Sequence, residues 1–235
     1  LIIIGSGPAG MQLAYRALKD GISVRMYERS SHPGGLLIDG IPAHKFDKKY
    51  IQTDFAALHD MGLKLWTERE IAFDANQGAF YELNSGEIIA HRDCPQHYIA
   101  LCTGAGKPQE LDPAVLEQAG DLSSSRIVHA IQFLKAANEL ARALQARVDY
   151  TNAEREALIQ SYLGTMDPRN KKIVVIGGGD TAQDIIRWLC RYLNQEDNVL
   201  SQLEVLVRGP AIHHREIWDG YPAPSLAPTT ENKMK

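Results

Sequence analysis

The chain has 235 residues, of which 44% are hydrophobic, and this is enough to bury the core of one or two domains. Its formal net charge of −4 comes from acidic and basic residues mixed along the whole length, which excludes the basic stripe that nucleic-acid binding requires. No apolar run approaches the roughly 20 residues that span a bilayer. No leader precedes the first strand, so we expect a cytoplasmic protein that does not contact membranes.

The N-terminal part of the chain predicts a strand, a glycine-rich turn, a helix and a second strand. Leu1 to Ile4 is a short apolar run that suits a parallel strand buried on both faces. The turn Gly5–Gly10 follows, then a helical pattern that ends at Gly21, and then a strand that ends at Glu28. These lengths together predict a βαβ unit.

The middle of the chain predicts a loop, a helix, a hairpin and a further strand. Residues 30–42 are rich in Gly and Pro, and residues 48–61 have helical periodicity. Residues 80–83 and 87–90 are predicted strands, which an Asn-Ser-Gly turn joins into a hairpin. Residues 98–102 predict a buried strand.

Residues 111–170 differ in composition and predict a helical connector. Ser123–Ser125 would cap its first helix and Asp167-Pro168 would end its last. Apolar residues recur at helical spacing in two groups, which predict two helices: Ile127, Ile131 and Leu134, and then Leu140, Leu144 and Val148.

The strand–turn–helix–strand order returns near the end of the chain. Residues 172–176 predict a strand, residues 177–182 form the turn, and residues 203–207 predict the next strand, which Arg208 follows. Three polar residues of the Pro-rich tail are interpreted as solvated loop residues: His213, His214 and Asp219.

Both turns have the residue pattern of a diphosphate-binding site. In the first, Gly5 allows the tight bend, Gly7 lets the backbone approach a pyrophosphate, and Gly10 lets the helix pack closely on the strand. The helix N-terminus points unpaired N–H groups at the anion, and Pro8 fits there because its missing N–H costs nothing. Glu28 is predicted to accept hydrogen bonds from the ribose hydroxyls.

The second turn ends in Ala182, which still permits close packing, and Arg208 sets it apart from the first. Aligning the second strands of the two units places Arg208 against Glu28 or Arg29. A guanidinium there binds a 2′-phosphate through charge-assisted hydrogen bonds, which favours NADPH over NADH. Two dinucleotides in one chain suit a protein in which one cofactor passes a hydride to another, and a flavin is the usual recipient.

Three strings of residues carry a resemblance to a known family. The strings are Gly5-Ser6-Gly7-Pro8-Ala9-Gly10, Gly34-Gly35-Leu36-Leu37 with Gly40-Ile41-Pro42, and Gly177-Gly178-Gly179-Asp180-Thr181-Ala182-Gln183-Asp184. With them the chain resembles the NADPH-dependent glutamate synthase small-subunit family, and it is similar to the FAD/NADPH portion of dihydropyrimidine dehydrogenase. The resemblance covers most of residues 1–108 and 171–208.

The resemblance implies an α/β fold with two Rossmann-like βαβ dinucleotide-binding domains. Residues 1–110 would be the N-terminal part of a discontinuous FAD domain, residues 111–170 the helical connector, and residues 171–235 the NAD(P)H-binding domain, here truncated. The residues implied to contact FAD are Gly5, Ser6, Gly7, Pro8, Ala9, Glu28, Arg29, Gly35, Leu36, Thr103 and Gly104. Those implied to face the nicotinamide dinucleotide are Gly177, Gly178, Gly179, Asp180, Thr181, Ala182 and Arg208.

The implied activity is hydride transfer from NADPH to FAD, with electrons passed on to an iron–sulfur centre or a partner subunit such as a glutamate synthase large subunit. The cofactors supply that chemistry, so no catalytic residue is nominated. The family's iron–sulfur segment and the part that completes the flavin domain are expected outside residues 1–235, so this stretch alone should bind FAD poorly. Only one basic residue follows the last strand, which weakens the preference for NADPH.

Three other functions fit part of the pattern. Another NADPH:ferredoxin-type reductase would use the same two turns. A thioredoxin-reductase-like enzyme would need a C-x-x-C pair, whereas Cys94, Cys102 and Cys190 are far apart, and the same spacing predicts no metal site. A regulatory or assembly module would hold the dinucleotides without turnover.

Overall fold

The computed structural model describes residues 1–105, 127–147, 149–193 and 203–206. The chain divides into two compact units, residues 1–110 and residues 111–235. In the described part, no helix is long and apolar enough to cross a membrane.

The first unit alternates strands and helices before it forms a run of strands. Its elements are β1 (Ile2–Ile4), α1 (Pro8–Lys19), β2 (Arg25–Tyr27), α2 (Leu36–Asp39), α3 (Lys49–Asp60), β3 (Lys64–Trp66), β4 (Ile71–Asp74), β5 (Ala79–Glu82), β6 (Ile88–His91) and β7 (Ile99–Leu101). Four strands form a parallel sheet in the order β3-β2-β1-β7, and β4-β5-β6 form an antiparallel sheet.

The parallel sheet is covered on both faces, which explains the uninterrupted apolar sequence of β1. Successive residues of a strand point to opposite faces. Ile3 packs with residues of α1 and α3, including Ala14 and Phe55. Ile2 packs on the other face with Tyr27 and with Ala90 of the antiparallel sheet. The unit therefore has three layers, and the carboxyl ends of β1, β2 and β7 lie together at one edge.

Most predicted elements of this unit are confirmed, with ends that differ by one to three residues. The strand predicted as buried at residues 98–102 is β7, which lies at the edge of the sheet and is only partly buried, with Leu101 65% exposed. Gly21 has φ of 77° and its N–H donates to the Leu18 carbonyl at 3.0 Å, so it ends α1 as predicted. The prediction missed α2, β3 and β4. These segments are short, and β3 (Lys-Leu-Trp) lacks the apolar run that marks the central strands.

The second unit packs helices against a pair of parallel strands. Its elements are α4 (Ala130–Gln145), α5 (Asn152–Tyr162), a 3₁₀ turn (Gly164–Met166), β8 (Ile173–Ile176), α6 (Asp180–Leu193) and β9 (Leu203–Leu206). β8 pairs with β9 in the described residues. Residues of α4, α5, α6 and β8 form one buried core, in which Phe133 meets Trp188 edge-on at 5.1 Å between ring centroids.

Two predictions about the connector need correction. The two apolar groups were predicted as separate helices, but Ile131, Leu134, Leu140 and Leu144 all lie on a single helix, α4. Ala136 and Ala137 continue this helix without a break between Leu134 and Leu140. The helix α5 was missed. Its capping box, in which the Thr151 hydroxyl accepts from the Glu154 N–H at 3.2 Å, is a signal that could have identified it. Ser123–Ser125 and Val148 lie outside the described residues.

Candidate functional site

The turn between β1 and α1 requires glycine at two positions, Gly5 and Gly10, because a side chain at either would overlap the backbone. Gly5 has φ of 100°, and its N–H donates to the Tyr27 carbonyl at 2.8 Å. A Cβ on Gly5 would lie 2.3 Å from the Cys102 carbonyl oxygen, and one on Gly10 would lie 2.1 Å from the Gly5 carbonyl oxygen. These contacts agree with the tight bend and the close helix packing that the sequence predicted for the two glycines.

Gly7 differs from Gly5 and Gly10 because it faces open space. A Cβ placed there would meet no atom within 4 Å, and its backbone angles (φ −65°, ψ −175°) suit any residue. No side chain caps the N-terminus of α1, and Pro8 and Ala9 are exposed. The positive end of the helix dipole therefore opens toward solvent at Gly7, an arrangement suited to an anion.

A second glycine pair lies directly against this corner. The Gly34 N–H donates to the Ser6 hydroxyl at 3.1 Å. A Cβ on Gly35 would lie 3.0 Å from the Gly7 Cα, and Gly35 has φ of 53°. Leu36 follows at the start of α2 and is 55% exposed. The fold thus brings together three of the residues implied to contact FAD: Gly7, Gly35 and Leu36.

Glu28 lies at the same edge of the sheet, but it is buried and bonded within the chain. Its Oε2 accepts from the Ser6 N–H at 3.0 Å and from the Ser6 hydroxyl at 2.6 Å, and its Oε1 accepts from the Ser30 N–H at 2.8 Å. A carboxylate can accept about four hydrogen bonds. These bonds within the chain occupy most of that capacity, and the ribose contact of Glu28 stays a prediction.

Burial and hydrogen bonding act in opposite directions on the Glu28 carboxyl. Burial alone would raise its pKa, but the hydrogen bonds from Ser6 and Ser30 outweigh burial and hold the pKa below 4.5. Glu28 is therefore ionised at neutral pH and fixes the shape of the corner. Ser6, placed by the resemblance among the FAD contacts, is fully buried, so its side chain supports the corner from behind.

The remaining residues implied to contact FAD are exposed at the same edge. Arg29 follows Glu28, and Thr103 and Gly104 follow β7. Because parallel strands end at the same edge of a sheet, these residues lie on the side where the open corner points. Their contacts with a ligand stay predictions.

The second unit repeats the corner. Gly177 has φ of 123°, and its N–H donates to the Leu206 carbonyl at 2.8 Å, as Gly5 does to Tyr27. A Cβ on Gly177 would lie 3.7 Å from the Ala182 side chain, and one on Gly179 would meet nothing within 4 Å. Gly179, with Asp180 and Thr181, is exposed at the start of α6. Gly179 is thus the counterpart of Gly7.

The repeated hydrogen bond resolves the alignment of the two second strands. Tyr27 and Leu206 receive the same bond, so the position after each is Glu28 in the first unit and Val207 in the second. Arg208 is then the counterpart of Arg29. Arg208 itself lies outside the described residues, as do His213, His214 and Asp219.

Gln183, which belongs to the third string of the resemblance but was assigned no role, lies in the first turn of α6. Its side chain is buried, and its amide donates to the Gly178 carbonyl at 3.5 Å.

The described residues contain no group of three or more His, Cys, Asp or Glu side chains that could hold a metal ion. Cys94, Cys102 and Cys190 are all free thiols.

The fold and its two matching corners define an α/β protein with two βαβ units of the dinucleotide-binding type. The profile of the family described as "Pyridine nucleotide-disulphide oxidoreductase" matches residues 1–215, and the chain belongs to that family.

Named relatives agree with this assignment. The chain is 30% identical to the glutamate synthase [NADPH] small chain of Bacillus subtilis over 78% of its own length and 31% of that protein. It is 28% identical to the protein of the same name from Azospirillum brasilense, over 80% and 33% respectively. The resemblance to the small-subunit family is thereby confirmed, and the chain spans about a third of the length of these relatives.

A solved structure shows the same fold. The Lactococcus lactis thioredoxin reductase in its FR conformation matches with a TM-score of 0.50 at 18% identity, and the match covers 92% of this chain and 58% of that one. At this identity, the match shows the fold alone.

The Glu28 contacts predict a pH-dependent loss of stability. Glu28→Gln should lower the free energy of unfolding by about 1.5–3 kcal/mol at neutral pH, because charge-assisted hydrogen bonds from Ser6 and Ser30 are lost. The pKa of the folded state lies below the ordinary value of a glutamate, so this contribution is present well above the ordinary value and disappears as the pH falls through the folded value. Urea unfolding at neutral pH and at about pH 3.5 measures both effects.

Glu87→Gln is the matched control, because Glu87 is exposed in the hairpin. It should leave the unfolding free energy unchanged. A difference between wild type and Glu28→Gln that stays the same at both pH values would contradict the role given to the carboxylate.

Proposed function

We propose that the chain is part of a flavoprotein oxidoreductase that holds FAD at the first corner and NADPH at the second. Residues 1–110 would bind FAD, residues 171–235 the nicotinamide dinucleotide, and the helices between them would belong to the second unit's core. The observation that carries the proposal is the repeated corner, in which Gly7 and Gly179 each leave a helix N-terminus open to an anion. A site for each of two dinucleotides supports hydride transfer between them.

The residues of this chain would bind and orient the cofactors. The open N–H groups at Gly7 and Gly179 would hold the two diphosphates. Gly35 and Leu36 would meet the flavin, and Arg208 would bind the 2′-phosphate of NADPH. When bound, a flavin accepts a hydride from the nicotinamide and releases its electrons to a further acceptor. No acid or base from the chain is required for the hydride step.

The names of the relatives support a partner subunit or centre as the electron acceptor. Their names describe the small chain of glutamate synthase, which supports an iron–sulfur centre or a large amidotransferase-type subunit as the recipient. The free cysteines support a reducing, cytoplasmic location. A reductase for another ferredoxin-type acceptor is the second candidate, because the two corners would serve it equally.

Flavin reduction is the direct test of the activity. In the full-length protein under anaerobic conditions, NADPH should bleach the flavin absorbance band, because hydride transfer reduces the isoalloxazine ring. Stopped-flow absorbance measures the rate. A bound flavin that stays oxidised would favour the regulatory or assembly module, and a protein without flavin would overturn the proposal.

Two glycine variants separate folding from binding. Gly7→Ala should fold like wild type, because its Cβ meets no protein atom, but weaken FAD binding about tenfold or more, because the methyl group occupies the ligand face. Gly10→Ala should lower the melting temperature, because its Cβ would overlap the Gly5 carbonyl. FAD titration and thermal unfolding of both variants give the comparison. Equal FAD affinity in Gly7→Ala and wild type would remove the first site.

A change at Arg208 should alter the choice of nicotinamide cofactor. Arg208→Leu is expected to lower kcat/KM for NADPH relative to NADH by about 10- to 100-fold, because charge-assisted hydrogen bonds to the 2′-phosphate are lost. Arg142→Leu, an exposed residue of α4, is the control. An unchanged ratio in Arg208→Leu would assign cofactor selection to another residue.

A further inference from the structure

Lys48 lies one position before α3 and reaches back to the loop that contains α2. Its ammonium group donates to the Leu37 carbonyl at 2.5 Å and also to the Ile41 carbonyl. Leu37 lies in the four-residue helix α2, and Ile41 lies two positions beyond its end. Helix ends leave such carbonyls without a partner in the helix, and a cation there also complements the helix dipole.

The segment that Lys48 holds is the one that meets the first corner. At its N-terminal end, the Gly34 N–H donates to the Ser6 hydroxyl, and a Cβ on Gly35 would lie 3.0 Å from the Gly7 Cα. At its C-terminal end, Leu37 and Ile41 are bonded to Lys48. Building on the proposed function, we propose that Lys48 is a positioning residue that holds the Gly35–Ile41 segment in the shape that receives the flavin.

The surroundings of Lys48 are unlike those of a solvated surface lysine. It is partly buried, and its ammonium lies 5.5 Å from the centroid of the Phe46 ring. Burial lowers the pKa of Lys48 to about 8, while the charge of Asp39 on α2 acts to raise it. A cation in such a place is favoured only when it is well hydrogen-bonded.

The next residue provides a matched control. Lys49 is exposed and pairs with Asp47 at 2.8 Å, so that its charge is directed to solvent. Asp39, Asp47 and Lys49 are the charged groups around Lys48 on α2 and at the start of α3. The pKa of about 8 places the loss of charge of Lys48 between neutral and mildly alkaline pH.

The test compares Lys48→Met, Lys48→Arg and Lys49→Met in the full-length protein, with FAD titrated at about pH 7 and about pH 9. Lys48→Met should weaken FAD binding about tenfold at the lower pH, because two charge-assisted hydrogen bonds are lost. Wild type and Lys49→Met should weaken about two- to fivefold between the two pH values, because Lys48 loses its charge. Lys48→Arg should bind like wild type at the lower pH and show no such change, because a guanidinium stays protonated.

The outcomes separate this inference from the proposed function. Lys48→Met with wild-type FAD affinity and an unchanged flavin spectrum would overturn the role of Lys48 alone. If Lys48→Met does not fold, Lys48→Arg decides, because a pH response equal to that of wild type would overturn the inference. A wild-type protein that binds no FAD at either pH would overturn the proposed function and this inference with it.

Discussion

The structure depends on a corner in which the chain turns from a strand into a helix without a side chain in the way. In each unit a glycine with positive φ donates its N–H to the carbonyl that ends the neighbouring strand, from Gly5 to Tyr27 and from Gly177 to Leu206. The bond fixes the direction in which the helix leaves the sheet. That direction leaves the helix N-terminus open at Gly7 and Gly179, where an anion is favoured by unpaired N–H groups and the helix dipole.

The first corner is supported from behind by a buried carboxylate. Glu28 accepts three hydrogen bonds from Ser6 and Ser30, and Ser6 in turn accepts one from Gly34. This network joins the turn, the end of β2 and the second glycine pair. A fully bonded buried network is rigid, because breaking any member would leave an unpaired polar group. The open face at Gly7 is therefore shaped within the chain itself, and a ligand need not organise it on binding.

The second unit supports its corner by a different means. Aromatic and aliphatic side chains of α4 and α6 pack together, with Phe133 against Trp188 and Trp188 stacked on Tyr192 at 4.5 Å. Apolar packing fixes the axis of α6 and hence the position of Gly179 at its start. The helices predicted as a connector thus share the hydrophobic core of the nucleotide-binding type unit that follows them.

The sequence by itself determined the two βαβ units, the family and the steric roles of Gly5 and Gly10, because these features depend on local spacing and on the absence of a side chain. Short-range patterns could not show that Ser6 bonds to both Glu28 and Gly34, that Lys48 bonds to Leu37 and Ile41, or that Tyr27 and Leu206 occupy equivalent positions. The bonds of Ser6 and Lys48, and those from Gly5 to Tyr27 and from Gly177 to Leu206, join residues that are separated along the chain. Only the packed tertiary structure brings them within hydrogen-bonding distance, because strand pairing and helix packing place the loops at one edge of a sheet.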